Sequence, residues 1–242
     1  MSNSQILLYL DTKDSITPNT PADTSFALKA LLRDDAFKTI GLKSVTFANV
    51  LFAVNSNTNT LVFQEDGAGT DFTATLTVGN YSATTLATEI KTQMDSAGAN
   101  TYTVTYDAST FKYTIATSGT SIRLLDTSTC LEVIGFTAQD AFVATSTTSD
   151  LVARLDGPQY VSIISNLNSM NISSNSYSNI MERVPISTAI GDLITYEPSE
   201  VTYQAFHTGT LDNLALRLYD DRDVCVCLPA NCPIQYIFSL QR

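Results

Sequence analysis

Residues 38–54 read KTIGLKSVTFANVLFAV, and this stretch decides the fold class. Ile40 and Leu42 alternate with small or polar residues, and Val45, Phe47 and the residues up to Val54 resume the alternation out of phase. Alternation with a period of two describes a half-buried strand, and a phase change near Lys43-Ser44 predicts a bulge or bend within a long one. Similar short runs lie on both sides. Gln5–Leu10 and Leu61-Val-Phe63 come early in the chain. Later come Tyr160–Ile164, Asp192–Tyr196, Val201–Phe206, Leu214–Tyr219, Val224–Leu228 and Ile234–Leu240. Short strands at this spacing suit a two-sheet sandwich, and an eight-stranded jelly roll fits their number.

One segment breaks the pattern. Ser82 is placed to cap a helix, Tyr81 and Leu86 to staple its first turn, and Leu86, Ile90, Met94 and Ala97 recur at helical spacing before Gly98. An amphipathic helix over residues 83–97 follows. Tyr102-Thr-Val-Thr-Tyr106 and Phe111-Lys-Tyr-Thr-Ile115, joined by Asp107–Thr110, then predict a hairpin. With Ser121–Leu125 and Leu131–Phe136 these make a small α+β unit of one helix on a few strands. The expected organisation is a jelly roll over 1–71 and 150–242, with an inserted subdomain over 72–149. The Ser/Asn-rich stretch 166–179 is expected to be a long loop, a kind that is usually functional or mobile.

The composition narrows function by exclusion. With 44% hydrophobic and 15% charged residues the 242-residue chain is a globular one. Its net charge of −11, with 13 thinly scattered Lys and Arg, argues against nucleic-acid binding, which needs clustered cations. Met1-Ser-Asn-Ser-Gln lacks the features of a secretory signal, and no apolar run approaches a membrane span, so the chain is expected to begin intact and be soluble.

Catalytic and metal constellations are missing. His207 is the sole histidine and sits near the end of a strand, where a structural or surface role is expected. Cys130, Cys225, Cys227 and Cys232 contain no CxxC pair, and Cys225 and Cys227 alternate with Val on one face of a strand as small apolar residues. The four thiols fit synthesis in a reducing cytoplasm. Glu65-Asp66 with Asp71, and Asp220–Asp223, are the acidic clusters; the second is expected to be a solvated turn. Paired carboxylates can serve a glycosidase or bind calcium, but neither cluster matches the DxDxDG loop. No nucleotide-binding glycine motif occurs. No catalytic, cofactor-binding or metal residue is therefore assigned, no cofactor is expected, and the chain is not expected to be an enzyme.

Two stretches carry a resemblance. Asn80-Tyr-Ser-Ala-Thr-Thr-Leu86, the hairpin strings at 102–107 and 111–115, and Leu131-Glu-Val-Ile-Gly-Phe136 resemble a unit of the minor capsid proteins of virophages, polinton-like viruses and some giant viruses. Here Ile134-Gly-Phe136 stands where that unit has LGF. The second stretch joins Asp156–Ile163, Ile180–Ile186, Gly191–Pro198, Leu214–Asp221 and Ile234–Leu240 in one order. Together they cover about residues 80–242. The resemblance implies a single jelly-roll penton subunit that forms homopentamers at icosahedral vertices and contacts a double-jelly-roll major capsid protein. It also implies a place in the virion. The alternative is a viral or phage adhesin whose insertion binds a host receptor or glycan. The Glu182-Arg183 pair near Pro185 is a candidate bridge between subunits.

Overall fold

The computed structural model describes residues 6–16, 20–28, 37–167, 179–205 and 213–241. Its strands begin with β1 (Ile6–Asp11), β2 (Asp23–Ala27), β3 (Thr39–Ala48), β4 (Thr60–Glu65) and β5 (Phe72–Thr75). Helix α1 (Ala83–Ala97) precedes β6 (Tyr102–Asp107), β7 (Lys112–Thr117) and β8 (Ile122–Leu124), and the short α2 (Leu131–Ile134) precedes β9 (Ser146–Thr148). The chain continues through β10 (Tyr160–Ser165), β11 (Ile180–Pro185), β12 (Leu193–Tyr196), β13 (Gln204–Ala205), β14 (Asn213–Tyr219) and β15 (Gln235–Gln241). Two compact units result: residues 1–51 with 158–242, and residues 52–157.

The first unit is a sandwich. One sheet runs β1-β15-β3-β12, with β13 also paired to β3, and the other runs β11-β10-β14-β2, all antiparallel. Setting β13 aside and counting along the chain, the sheets hold the first, eighth, third and sixth strands, and the fifth, fourth, seventh and second. That order is a jelly roll, in which the chain ends pair with each other. Leu214, Leu216 and Leu218 of β14 turn inward while Arg217 stays exposed. They join Ile40, Leu42, Val45, Phe47, Tyr236, Phe238 and Leu240 in one core. Each such side chain contributes about 1.5–3 kcal/mol on burial, before entropy.

The expected phase change in β3 is a bulge. Ile237 pairs with Ser44 but Phe238 pairs with Leu42, so exposed Lys43 is the extra residue and both Leu42 and Val45 still face the core. The strand ends at Ala48, short of the expected Val54. Asn49 ends it because its side chain accepts from Leu51 N–H (3.4 Å) and donates to Thr188 O (2.8 Å), diverting backbone groups that a ladder would pair.

Residues 201–203 lie against the outer face of β3 at Gly41. A Cβ there would come within 2.4 Å of Val201 Cγ1 and 2.9 Å of Thr202 O. Gly41→Val is therefore expected to destabilise the sandwich by about 1–3 kcal/mol, the usual cost of overpacking. A urea midpoint equal to that of the parent would contradict this.

The second unit has its own core. Sheets β5-β4-β8 and β6-β7-β9 share it with α1, whose Leu86, Ala87, Ile90 and Met94 are buried together with Leu61, Phe63, Tyr102 and Tyr113. Helix α1 has the expected limits. Ser82 Oγ accepts from Thr85 N–H (3.2 Å), and Gly98 N–H donates to Met94 O (2.9 Å). Gly98 is extended (φ −90°), so it supplies space rather than a left-handed turn: a Cβ would lie 2.3 Å from Glu65 Oε1.

Several expectations change. The inserted unit spans 52–157 rather than 72–149, because Leu61 and Phe63 of β4 pair with β5 and β8 and bury in the α1 core. Its far border moves because Leu151 and Ala153 bond to the backbones of Gly135 and Phe111. The unit holds two helices, since Leu131–Ile134 forms a turn closed by Gly135 at φ +76°. Residues 224–228 are not a strand; they pair through an isolated bridge from Tyr219 to Cys225, with Asp220 N–H donating to Val224 O and Val226 N–H to Leu218 O (both 2.9 Å). Val226 and Leu228 are buried there and the two cysteines half-buried. Of the expected strand 201–206, residue 206 lies outside the described residues, and within 201–205 Gln204–Ala205 pairs with β3.

Candidate functional site

The two acidic clusters hold the chain in shape. Glu65 ends β4 and is buried; its Oε2 accepts from Ala99 N–H (3.1 Å), and its Oε1 accepts from Asn100 N–H (3.1 Å) and from the Tyr102 hydroxyl. The carboxylate thus fastens the exit of α1 to β4. Burial, then the bond to Glu65, pushes the Tyr102 hydroxyl far above the usual phenol range.

Asp66 follows at φ +54°. Its carboxylate accepts from Asn100 Nδ2 (2.9 Å), Thr120 N–H (2.6 Å) and Thr120 Oγ1 (3.1 Å). Donors of this kind stabilise the charged form, and the Asn100 amide and then the Thr120 N–H hold the carboxyl below its usual range. Asp71 accepts from Gln64 Nε2 (2.7 Å).

A pH dependence follows from these carboxylates. A folded pKa below the unfolded one adds stability above the ordinary value near pH 4, which disappears as pH falls through the folded value. Asp107, held down by Ser109 and Thr110, and Asp150, held down first by Thr137, act in the same direction. The second unit is therefore expected to keep a constant melting temperature down to about pH 5 and to lose stability below about pH 4. Asp66→Asn, which tolerates positive φ, should make that acid limb shallower. An unchanged limb would contradict the assignment.

Asp220 is likewise a turn residue. Its Oδ1 accepts from Arg222 N–H and Val224 N–H (both 3.0 Å), and its Oδ2 is gripped by the Arg222 guanidinium at 2.8 and 3.1 Å. Asp221 Oδ2 accepts from Gln159 N–H (3.2 Å). The expected turn over Asp220–Asp223 is thus present, but it is not the solvated one expected: Asp220 is buried, with its carboxylate turned onto the turn's own N–H groups and Arg222. It is joined to its own loop and to the start of β10.

The cysteines are all free. Cys130 is sealed in the second core, where burial pushes its thiol up to about 12, far from thiolate chemistry at neutral pH. Burial raises Cys225 as well. Among the described residues no group of three His, Cys, Asp or Glu side chains is placed to hold a metal ion. No described helix is long and apolar enough to cross a membrane. His207 and most of the 166–179 loop lie outside the described residues. The Arg183 guanidinium stands 4.8 Å from the centroid of the Tyr160 ring, on the neighbouring strand of its own sheet.

What composition did not reveal is an exposed apolar group on the second unit. Phe111 is 56% exposed and held at φ +58°, a conformation that costs a bulky residue on the order of 1 kcal/mol or more. Its carbonyl accepts from Ala153 N–H (2.9 Å), which brings Leu151 (58% exposed) and Val152 (53%) to the same end of the hairpin. The signal was the aromatic at the end of the Asp107–Thr110 turn, but position in a turn says nothing about what covers a ring.

No family model matches this chain, and no curated protein matches it. Among solved structures it is similar to the selenomethionine-labelled mavirus penton protein, at 13% identity and a TM-score of 0.47, over 98% of this chain and 99% of that one.

Proposed function

We propose that this chain is a structural virion protein, a penton-type subunit that forms homopentamers at icosahedral vertices and contacts the major capsid protein. The observation that carries the reading is the strand order: a single jelly roll interrupted between its third and fourth strands by a compact α+β unit. The sequence strings that resemble virophage and polinton-like minor capsid proteins imply the same jelly roll, and they run in one order through both units. Glu65, Asp66 and Asp220 accept hydrogen bonds from donors of the fold itself, Glu65 and Asp66 from segments 34 to 54 residues away and Asp220 from its own turn. A subunit that closes a ring needs only complementary faces, because the last contact in a closed ring is made intramolecularly.

Light scattering and negative-stain microscopy of the purified chain test this. A fivefold ring is expected, alone or with the major capsid protein. A strictly monomeric particle in both settings would overturn the assignment.

The exposed Phe111, Leu151 and Val152 favour a second reading, adhesion through the inserted unit. Under it, Phe111→Ser would abolish attachment to host cells and leave assembly intact. Under the penton reading alone, attachment would be unaffected.

A further inference from the structure

The outer face of the β1-β15-β3-β12 sheet carries a cavity of about 420 Å³. That volume lies within the roughly 300–1,000 Å³ of small-molecule sites. Strand register builds it from three distant parts of the chain. Tyr9 pairs with Ile237, and Ile237 with Ser44; one step along, Asp11 pairs with Gln235, and Gln235 with Thr46. All six side chains line the cavity, and Asp14 joins them from the 3-10 turn that follows β1.

The two rows differ in chemistry. The first offers an aromatic ring, 67% exposed, beside the aliphatic Ile237. The second offers a carboxylate, a carboxamide and a hydroxyl in line. Asp11 and Gln235 touch each other (3.4 Å), and Asp11 Oδ1 also accepts from Lys13 N–H (2.9 Å), which fixes the acid in place. The lining holds two carboxylates and no Lys, Arg or His.

We infer that this face binds a neutral saccharide of one or two rings. A pyranose has an apolar C–H face that lies on an aromatic ring and an equatorial edge of hydroxyls that both donate and accept. Asp11 and Asp14 accept from those hydroxyls, and hydrogen bonds to a charged acceptor are the stronger kind. Gln235, Ser44 and Thr46 both donate and accept, as a hydroxyl-rich ligand requires. The carboxylates repel sialylated, sulfated or uronic sugars, whose own charge would face them without a cation between. The site lies on the sandwich, and the inference is independent of the penton reading, since it concerns one subunit's sheet.

Saturation-transfer NMR on the full chain tests it, with the methyl glycosides of glucose, galactose, mannose and N-acetylglucosamine as probes and sialyllactose as the anionic control. Transfer to at least one neutral glycoside is expected, with none to sialyllactose. Tyr9→Ala should weaken the response about tenfold or more, equivalent to about 1.4 kcal/mol, and Tyr9→Phe should retain it. Asp14→Asn, an exposed change that spares the sheet, should weaken it as well. Absence of transfer to every neutral glycoside, transfer that survives Tyr9→Ala, or preference for the sialylated probe would each overturn the inference. Self-association abolished by Tyr9→Ala, without any glycoside response, would overturn it in favour of a protein interface.

Discussion

Phe238→Ala is expected to be the most damaging single truncation in the sandwich, lowering its stability by about 3–5 kcal/mol, the range for removing a buried aromatic. The ring is fully buried and stacks on Tyr236 with centroids 5.8 Å apart and an interplanar angle of 20°. It also lies beside the β3 bulge, where Phe238 pairs with Leu42. The cavity left behind would be lined by side chains of both sheets, which cannot collapse without shifting strand register. Hydrogen exchange read by mass spectrometry checks it locally: amides of β3, β14 and β15 should lose protection. Those of β4 and β7 belong to the other core and should keep theirs. A change below about 1 kcal/mol would mean that the two sheets do not share the core described.

Glu65→Ala is the second large effect, expected to cost the inserted unit on the order of 3–5 kcal/mol. Three donors lose their acceptor, and a buried donor left unpaired costs about 1–3 kcal/mol, less where water can enter. Glu65→Gln should cost less, because the amide oxygen can still accept from Asn100 N–H and the Tyr102 hydroxyl while its NH₂ opposes Ala99 N–H. Tyr102→Phe should cost least, since Oε1 keeps Asn100 N–H. Thermal melts of the three variants should follow that order. Faster exchange of the Ala99 and Asn100 amides in the alanine variant would locate the loss. Parent-like protection of those two amides would show that Glu65 does not hold the turn.

These two residues also show how far the chain could be read before it was folded. Phe238 was legible as a strand position, because inward and outward residues alternate through Ile234–Leu240. Helix α1 was legible to the residue, because a serine cap, a four-residue apolar spacing and a terminal glycine are all local signals. Glu65 was not. It looked like half of an acidic pair beside a glycine turn, and its donors lie 34 to 37 residues further on.

The same distinction explains the errors. Leu61–Phe63 has a strand pattern that would suit either unit, and only its pairing with β5 and β8 assigns it to the inserted one. Val224–Leu228 alternates like a strand, yet Asp220 and Arg222 close a tight turn just before it and leave it one bridge to Tyr219.

By itself, then, the sequence determined a mainly β chain, the helix over 83–97, the bulge at Lys43 and the absence of any recognisable catalytic motif, because each depends on neighbours a few residues apart. The tertiary structure alone decided the jelly-roll strand order and the borders of the inserted unit. It also decided the structural use of the acidic clusters and the meeting of Tyr9, Ser44 and Ile237 on one face. Each of those requires antiparallel pairing between segments separated by tens to hundreds of residues. Register across such a distance is set by which faces bury together, and local pattern does not encode it.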